Sequence, residues 1–337
     1  MMTEGHVAKD KVSIVLAVYN EEAIVRDAVN SLLKQEAWDF EVEILVVDGN
    51  STDRTSKILK EMAEQNAGRI KYVFNEKRIA PAAFNLGIKE ASGNYIAIFG
   101  SHAKYADNYL SVCLEEIHKT GAVGCSGTVI PRMEEDNQES ELCLSILTSR
   151  IGVSGGSFRT RSSGFAESIP YGVFKKEVFD KVGWYDERLV RNQDNDMNAR
   201  INKAGYKLYI TDRTHAYYYP KSNLKALKKY AFNTGLWNAK SLKFGSYTLR
   251  LLHFVPFFFL LFNILLIATL VLSVIYDTYY LVLPLLLVYL LYWVLIVFET
   301  SKLRFEFKEN RLAFPVAVYS FHLNYGFGTL KGFLSNR

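Results

Sequence analysis

The sequence predicts an α/β fold, a mostly parallel sheet flanked by helices, followed by transmembrane helices. Three observations carry this. Short apolar runs alternate with stretches of helical periodicity from Val12 to Ile210, as in βα repeats around a parallel sheet. The runs are mainly apolar, as strands buried on both faces are. Finally, Leu251 to Ile275 and Tyr279 to Phe298 hold no full charge, and each reaches the ~20 residues needed to cross a bilayer.

Val12 to Val18 is the first strand, and a helix over Ala23 to Lys34 follows, with Ile24, Val25, Ala28 and Leu32 apolar. Val42 to Val47 is the second strand and ends in the Asp48–Asp53 turn. Gly49 permits that turn, and Ser51 or Thr52 can cap the next helix, Asp53 to Gln65. Ile70 to Phe74, a small-residue helix over Ala80 to Ala91, and the strand Tyr95 to Phe99 come next. Further on lie a helix over Asp107 to Lys119 and a Gly-punctuated strand over Ala122 to Ile130. Met133 to Phe165 is polar and irregular, with Gly155-Gly156 and an Arg/Ser cluster at Arg159 to Ser163; it reads as a mobile loop over a site. A strand and helix within Gly172 to Val182, a helix over Asp194 to Ala204 and a strand over Tyr206 to Ile210 complete a first domain, residues 1–220.

The chain has 337 residues, 49% hydrophobic and 14% aromatic, with the apolar excess concentrated in Leu251 to Phe298. The net charge of +5 is mild; no basic stripe with interleaved aromatics is present, so nucleic acid is not an expected partner. Cys113, Cys125 and Cys143 form no CxxC spacing, which argues against a disulfide framework or a zinc site and for a reducing compartment. Residues 1–11 are polar and show no signal peptide.

Residues 221–250 mix Lys221, Lys225, Lys228, Lys229, Lys240, Lys243 and Arg250 with Leu224, Leu227, Phe232 and Trp237. This reads as basic amphipathic helix at a membrane surface, or alternatively as a helix packed on the soluble domain. Residues 251–298 hold the two spans. Their loop, Asp277-Thr278, has no Lys or Arg, whereas Lys302, Arg304, Lys308 and Arg311 follow the second span. By the positive-inside rule the first domain and the tail 299–337 are cytoplasmic, so the chain is expected to be a multi-pass protein of the cell membrane. Ala313 to Leu334 is interrupted by Pro315, His322, Asn324 and Lys331 and is expected to be interfacial or re-entrant.

In an open α/β sheet, ligands bind outside the carboxyl ends of the strands. Gly100-Ser101-His102 stands at one such end; a histidine there can bind a metal, move a proton or fill a loop. Asp48 ends another strand and can hold a base edge or a ribose hydroxyl, or cap its own turn. Asp194 begins a helix, where its charge is stabilised; it is an N-cap or a general base. Neither a Gly-rich dinucleotide fingerprint nor a P-loop is present.

The blocks Ile14-Val15-Leu16-Ala17-Val18-Tyr19-Asn20-Glu21, Val46-Val47-Asp48-Gly49-Asn50-Ser51-Thr52-Asp53 and Ala82-Ala83-Phe84-Asn85-Leu86-Gly87-Ile88, with Ala91-Ser92-Gly93-Asn94-Tyr95-Ile96, resemble the family 2 inverting glycosyltransferases of GT-A fold. The resemblance covers about residues 10–220. The tail His322-Leu323-Asn324-Tyr325-Gly326-Phe327-Gly328 is similar to succinoglycan-type exopolysaccharide glucosyltransferases. The resemblance implies a nucleotide-sugar donor, with Ala17, Tyr19, Glu21 and Asp48 holding the uracil and ribose, and Arg78, Asn85 and Ser101 near the donor. It implies that Asp194 activates an acceptor hydroxyl, Gln193 replacing the Glu of a Glu-Asp motif. The acceptor would be a lipid-linked saccharide at the membrane, and a divalent cation, Mn²⁺ or Mg²⁺, would neutralise the leaving diphosphate.

The departure lies at residues 100–102. The family usually ends this strand in Asp-x-Asp, and here Gly100 removes the first carboxylate while His102 stands where the metal ligand is expected. Imidazole suits Mn²⁺ better than Mg²⁺, and His215 is a candidate second ligand or an ordinary half-buried histidine. Two other readings stay open: a processive polysaccharide synthase, although Gln-x-x-Arg-Trp is missing around Tyr230 to Trp237, and a degenerate domain that binds a nucleotide sugar without turnover.

Overall fold

In the computed structural model, which describes residues 9–36, 39–133, 135–152, 162–220, 223–245 and 251–335, the apolar runs become strands of one nine-stranded sheet. In chain order the elements are β1 Lys11–Val18, α1 Val25–Leu33, β2 Glu41–Asp48, α2 Thr55–Gln65, β3 Ile70–Phe74, α3 Ala80–Glu90, β4 Tyr95–Gly100, β5 Ala103–Tyr105, α4 Tyr109–Thr120, β6 Gly124–Pro131, α5 Gln138–Thr148, β7 Gly164–Ala166, β8 Val173–Lys175, α6 Glu177–Val182, α7 Gln193–Lys203 and β9 Leu208–Tyr218. The strand order is β3-β2-β1-β4-β8-β6-β9-β5, with β7 paired to β9. β1 is parallel to β2 and β4, β2 is parallel to β3, and β8 runs antiparallel to β4 and β6.

The central strands are mainly apolar because both of their faces are covered. Ile14, Leu16, Val46, Ala97 and Phe99 pack with Val29, Leu59 and Leu110 of α1, α2 and α4. The alternate residues Val15, Leu45, Val47, Ile96 and Ile98 pack with Phe84, Phe179 and Ile201 of α3, α6 and α7. This sheet and its helices make up one unit, Met1–Ile130 with Phe158–Tyr218.

Two local expectations need correction. β9 runs on from the predicted Ile210 to Tyr218; its exposed Asp212-Arg213 breaks the apolar pattern, and the strand is paired on either side of the break, with β7 before it and with β5 after it. Neither Ser51 nor Thr52 caps α2: Asp53 accepts from the Thr55 amide, while Ser51 bonds to Asp48 and Thr52 to Asn20.

The second unit is Pro131–Ser157 with Tyr219–Arg337. It holds α5, α8 Leu224–Lys243, a 3-10 turn Leu251–Phe254, α9 Val255–Tyr276, α10 Val282–Lys302 and α11 Asn310–Leu334. The loop expected over Met133–Phe165 therefore contains a helix. Leu142, Cys143, Ile146 and Leu147 of α5 bury against Leu227, Phe314 and Val318, which removes this stretch from the continuous domain 1–220. Gly155, Gly156 and residues 159–161 of the Arg/Ser cluster lie outside the described residues, as do Lys221 and Arg250.

α11 is one continuous helix with Pro315 inside it, not a broken re-entrant segment. The polar residues that suggested a break are paired. His322 Nε2 donates to the Ile151 carbonyl at 2.9 Å, leaving Nδ1 to accept from Tyr292 Oη at 3.1 Å, and Asn324 bonds to the Ser320 carbonyl one turn back at 2.7 Å. α8 buries Leu227, Ala231, Gly235 and Asn238, and it meets α11 through glycines. A Cβ on Gly235 would collide with the Tyr325 carbonyl, and one on Gly328 with the Phe232 carbonyl. The exposed Lys225, Lys228 and Lys229 stand away from that seam. α9 and α10 are long and apolar enough to cross a membrane; most of their apolar side chains, such as Val274 at 71% and Leu287 at 67%, are uncovered by protein.

Candidate active site

The chain leaves β1 toward β2 on one side, while β4 lies on the other. The register sets Ala17 beside Gly100 and Val18 beside Asp48, so Tyr19-Asn20-Glu21 and Ser101-His102 leave the sheet side by side at a topological switch point, the usual crevice for a ligand. His102 Nε2 lies 2.7 Å from Glu21 Oε1, joining two candidates 81 residues apart in sequence. Ser101 is buried and Tyr19 is 44% exposed. The Tyr19 ring lies close enough to Gly49 that a side chain there would crowd it.

Asp48 is fully buried. Its Oδ1 accepts from the Ser51 amide at 3.2 Å and hydroxyl at 2.6 Å, and its Oδ2 accepts from Tyr72 Oη at 2.8 Å and from the Ser56 hydroxyl. A carboxylate offers about four acceptor positions, and all are taken, so Asp48 here holds its own turn. Burial and the Asp48 carboxylate push the Tyr72 phenol up to about 12, which keeps it a donor.

The turn after β3 is built by buried Asn75, which donates to the Ile79 carbonyl at 3.1 Å and accepts from the Lys77 amide at 3.1 Å. It presents Arg78 exposed and in left-handed conformation, φ 58°. For an arginine this geometry costs about 1–2 kcal/mol. Asn20, Asn50, Tyr171 and Asn192 also have positive φ; strain of this kind concentrates at functional loops.

Asp194 lies in the first turn of α7. Protein packed around its carboxyl pushes the pKa up to about 6. The residue is nevertheless exposed to solvent. Water reaching the carboxylate offsets part of that penalty, so the upward direction matters more than its extent. Its neighbour Asp196 is paired with Arg200 at 2.9 Å, which leaves Asp194 as the carboxylate of this turn suited to accept a proton. The Gln193 Oε1 is buried and lacks a hydrogen-bond partner among the described residues.

Two expected residues are placed elsewhere. Asn85 is engaged within the fold: its amide oxygen accepts from the Tyr185 N–H at 2.9 Å, and its amide nitrogen donates to the Tyr185 carbonyl at 2.9 Å. His215 stands across the ladder from Ala106, four residues along from the position facing His102. That is about 13 Å at the usual strand rise, too far for a shared ion.

Tyr171 was missed by the sequence reading. Its ring lies 3.3 Å from where a Cβ on Gly100 would stand, and its carbonyl accepts from Tyr109 Oη at 2.9 Å. A ring thus crowds the place of the missing first carboxylate. Lys77, Glu187 and Arg200 were also missed; Lys77 and Glu187 pair across 110 residues, and Arg200 reaches the carbonyls of 182–184 as well as its near neighbour Asp196.

A divalent cation at the Glu21–His102 pair would meet one carboxylate oxygen and one imidazole nitrogen, a mixed set that suits Mn²⁺ better than Mg²⁺. Among the described residues no three His, Cys, Asp or Glu side chains cluster as a metal site. The pair alone offers two donor atoms, so a cation held there would need its other ligands from phosphate oxygens or water.

Residues 13–183 match the family model described as glycosyl transferase family 2. The chain is 25% identical over 330 residues, 96% of its own length and 97% of the relative's, to a dolichyl N-acetyl-α-D-glucosaminyl phosphate 3-β-D-2,3-diacetamido-2,3-dideoxy-β-D-glucuronosyltransferase of Methanococcus voltae. It is 30% identical over 233 residues, 68% of this chain and 69% of the relative, to the succinoglycan biosynthesis protein ExoA of Rhizobium meliloti (strain 1021). A crystal structure of GalNAc-T7 with UDP, GalNAc and Mn²⁺ is similar in fold at TM-score 0.50 and 17% identity, covering 63% of this chain and 44% of that one.

Proposed function

The chain belongs to glycosyl transferase family 2, and we propose that this glycosyltransferase moves a hexose from a UDP-linked donor to a lipid-linked saccharide, with inversion at the anomeric carbon. The observation that carries the reading is the convergence of Glu21 and His102 at the switch point of a GT-A sheet. The Methanococcus voltae relative, matched over 97% of its length, is named for a dolichyl-phosphate-linked sugar, which supports a lipid-linked acceptor.

Tyr19 offers its exposed ring to the base, with Ala17, Ser101 and the Asp48 turn shaping the floor beneath. Arg78, held out on its strained turn, meets the donor's diphosphate. When bound at His102 and Glu21, a divalent cation supplies charge neutralisation to the leaving diphosphate. Asp194 takes the proton of the acceptor hydroxyl. The acceptor oxygen forms its bond to the anomeric carbon as the bond from that carbon to the diphosphate oxygen breaks, and UDP leaves on the opposite face.

α9 and α10 anchor the enzyme in the bilayer as two spans. The Lys and Arg residues after α10, against none in the Asp277-Thr278 loop, favour a cytoplasmic catalytic unit. The test is the purified full-length chain with labelled UDP-sugars and lipid extracts, with Mn²⁺ or Mg²⁺. Label passing into the lipid fraction as UDP is released is the expected result. Neither transfer nor donor hydrolysis with any divalent cation would overturn the reading.

A further inference from the structure

Asn85 lies on α3, and its side chain pairs with both polar groups of the Tyr185 backbone, 100 residues away. Its amide nitrogen also reaches Glu187 Oε1 at 3.3 Å, and the other oxygen of Glu187 pairs with Lys77 at 2.5 Å. The adjacent Phe84 ring packs on the Tyr185 ring at 5.0 Å between centroids. From the other side Arg200 of α7 donates to the carbonyls of Val182, Gly183 and Trp184 at 2.7, 2.8 and 2.9 Å, and to Asp196 at 2.9 Å. The segment 182–187 is therefore gripped by α3 on one side and α7 on the other. Buried Tyr185 lies in the field of the Asp194 carboxylate. The grip also includes Lys77, next to Arg78 on the strained turn.

We propose that Asn85 is a positioning residue: through Tyr185 and Glu187 it fixes the spacing between the turn that carries Arg78 and the helix that carries Asp194. The proposal rests on Asp194 being the base and on Arg78 meeting the donor. Only a side chain with one donor and one acceptor on a short stem satisfies both Tyr185 groups. Aspartate would set an oxygen against the Tyr185 carbonyl, and glutamine would be one methylene too long. A displacement of about 1 Å at a reacting group costs about a hundredfold in rate.

The experiment compares Asn85→Asp, Asn85→Ala and Glu187→Ala in the full-length enzyme, measuring kcat, donor KM, UDP affinity and thermal midpoint. For Asn85→Asp we expect kcat to fall about 30- to 100-fold, with donor KM and UDP affinity within about twofold of the parent. For Glu187→Ala, a change at the exposed end of the grip, we expect a fall of about three- to tenfold in kcat with the same split. If the Asn85 variants do not fold, the Glu187→Ala result decides. A raised donor KM and weakened UDP binding with unchanged kcat would overturn the proposal and return Asn85 to donor contact; unchanged kcat and KM would also overturn it. Asp194→Asn, assayed in parallel, separates the two readings: turnover retained there removes the base assignment itself, whatever the Asn85 variants do.

Discussion

Asp48 ends a strand and Asp194 begins a helix of the same unit, and the chain treats them oppositely. Asp48 is sealed in and bonded at every acceptor position by Ser51, Ser56 and Tyr72. Asp194 is exposed, and among the described residues no partner lowers its pKa. The first carboxylate holds a turn in shape. The second keeps its acceptor capacity for something outside the chain. The contrast teaches that polarity already satisfied within the fold marks scaffolding, whereas polarity left open on a well-braced element marks chemistry.

The largest effect should come from Asp194→Asn. Turnover should fall about a thousandfold or more while UDP still binds. Above pH 6 the variant's thermal midpoint should equal or exceed the parent's, by the sign of the shift. A carboxyl whose folded pKa is raised from 3.8 to about 6 binds its proton more tightly in the folded state. It thus favours folding below its unfolded pKa, and that contribution is lost as pH rises through about 6. The parent's rate should correspondingly decline on acidification near pH 6 rather than near 4. A variant that stays active, or that melts far lower, would erase the contrast.

Asp48→Ala should do the reverse, costing about 2 kcal/mol of stability by leaving the half-buried Ser51, Ser56 and Tyr72 donors without their acceptor. A denaturant titration reads this, and an unchanged midpoint would show that the turn does not depend on its carboxylate. His102→Ala should lower cation-dependent turnover about tenfold and change the Mn²⁺ concentration needed for half-maximal rate. Unaltered cation dependence would take the Glu21–His102 pair out of the mechanism. The smallest effect is expected at Arg78. Arg78→Gly should raise stability by about 1 kcal/mol, since glycine takes positive φ freely, and should weaken donor binding. Weaker binding without added stability would mean that the turn stores no strain.

The first four strands were legible because each is a mainly apolar run bounded by glycine or a polar turn, from Val12–Val18 to Tyr95–Phe99, whereas the three-residue β5 and β7 are too short to show a pattern. The second half of β9 was not legible, because Asp212 and Arg213 interrupt its pattern and its pairing with β5 beyond them leaves no local trace. α5 was hidden in a polar window, since its apolar face makes sense only against Leu227 and Phe314. α11 looked broken because the partners of His322 are Tyr292 and Ile151, far along the chain. In the site, local motifs located Glu21, Asp48, His102 and Asp194, all at strand or helix ends. They could not reveal that His102 faces Glu21, or that Asn85 holds Tyr185, because neither pairing leaves a local trace.

The glycine seam between α8 and α11 carries a consequence for biosynthesis. Its two halves are Leu224–Lys243 and Asn310–Leu334, with both long apolar helices between them. When α8 leaves the ribosome, the backbone it is shaped to meet has yet to be made. At about 5–20 residues per second, the roughly ninety residues from the end of α8 to the end of α11 take about 5–20 s to synthesise. Throughout that interval the small residues of α8 wait for their partner helix, so the bundle closes only once α11 has been made.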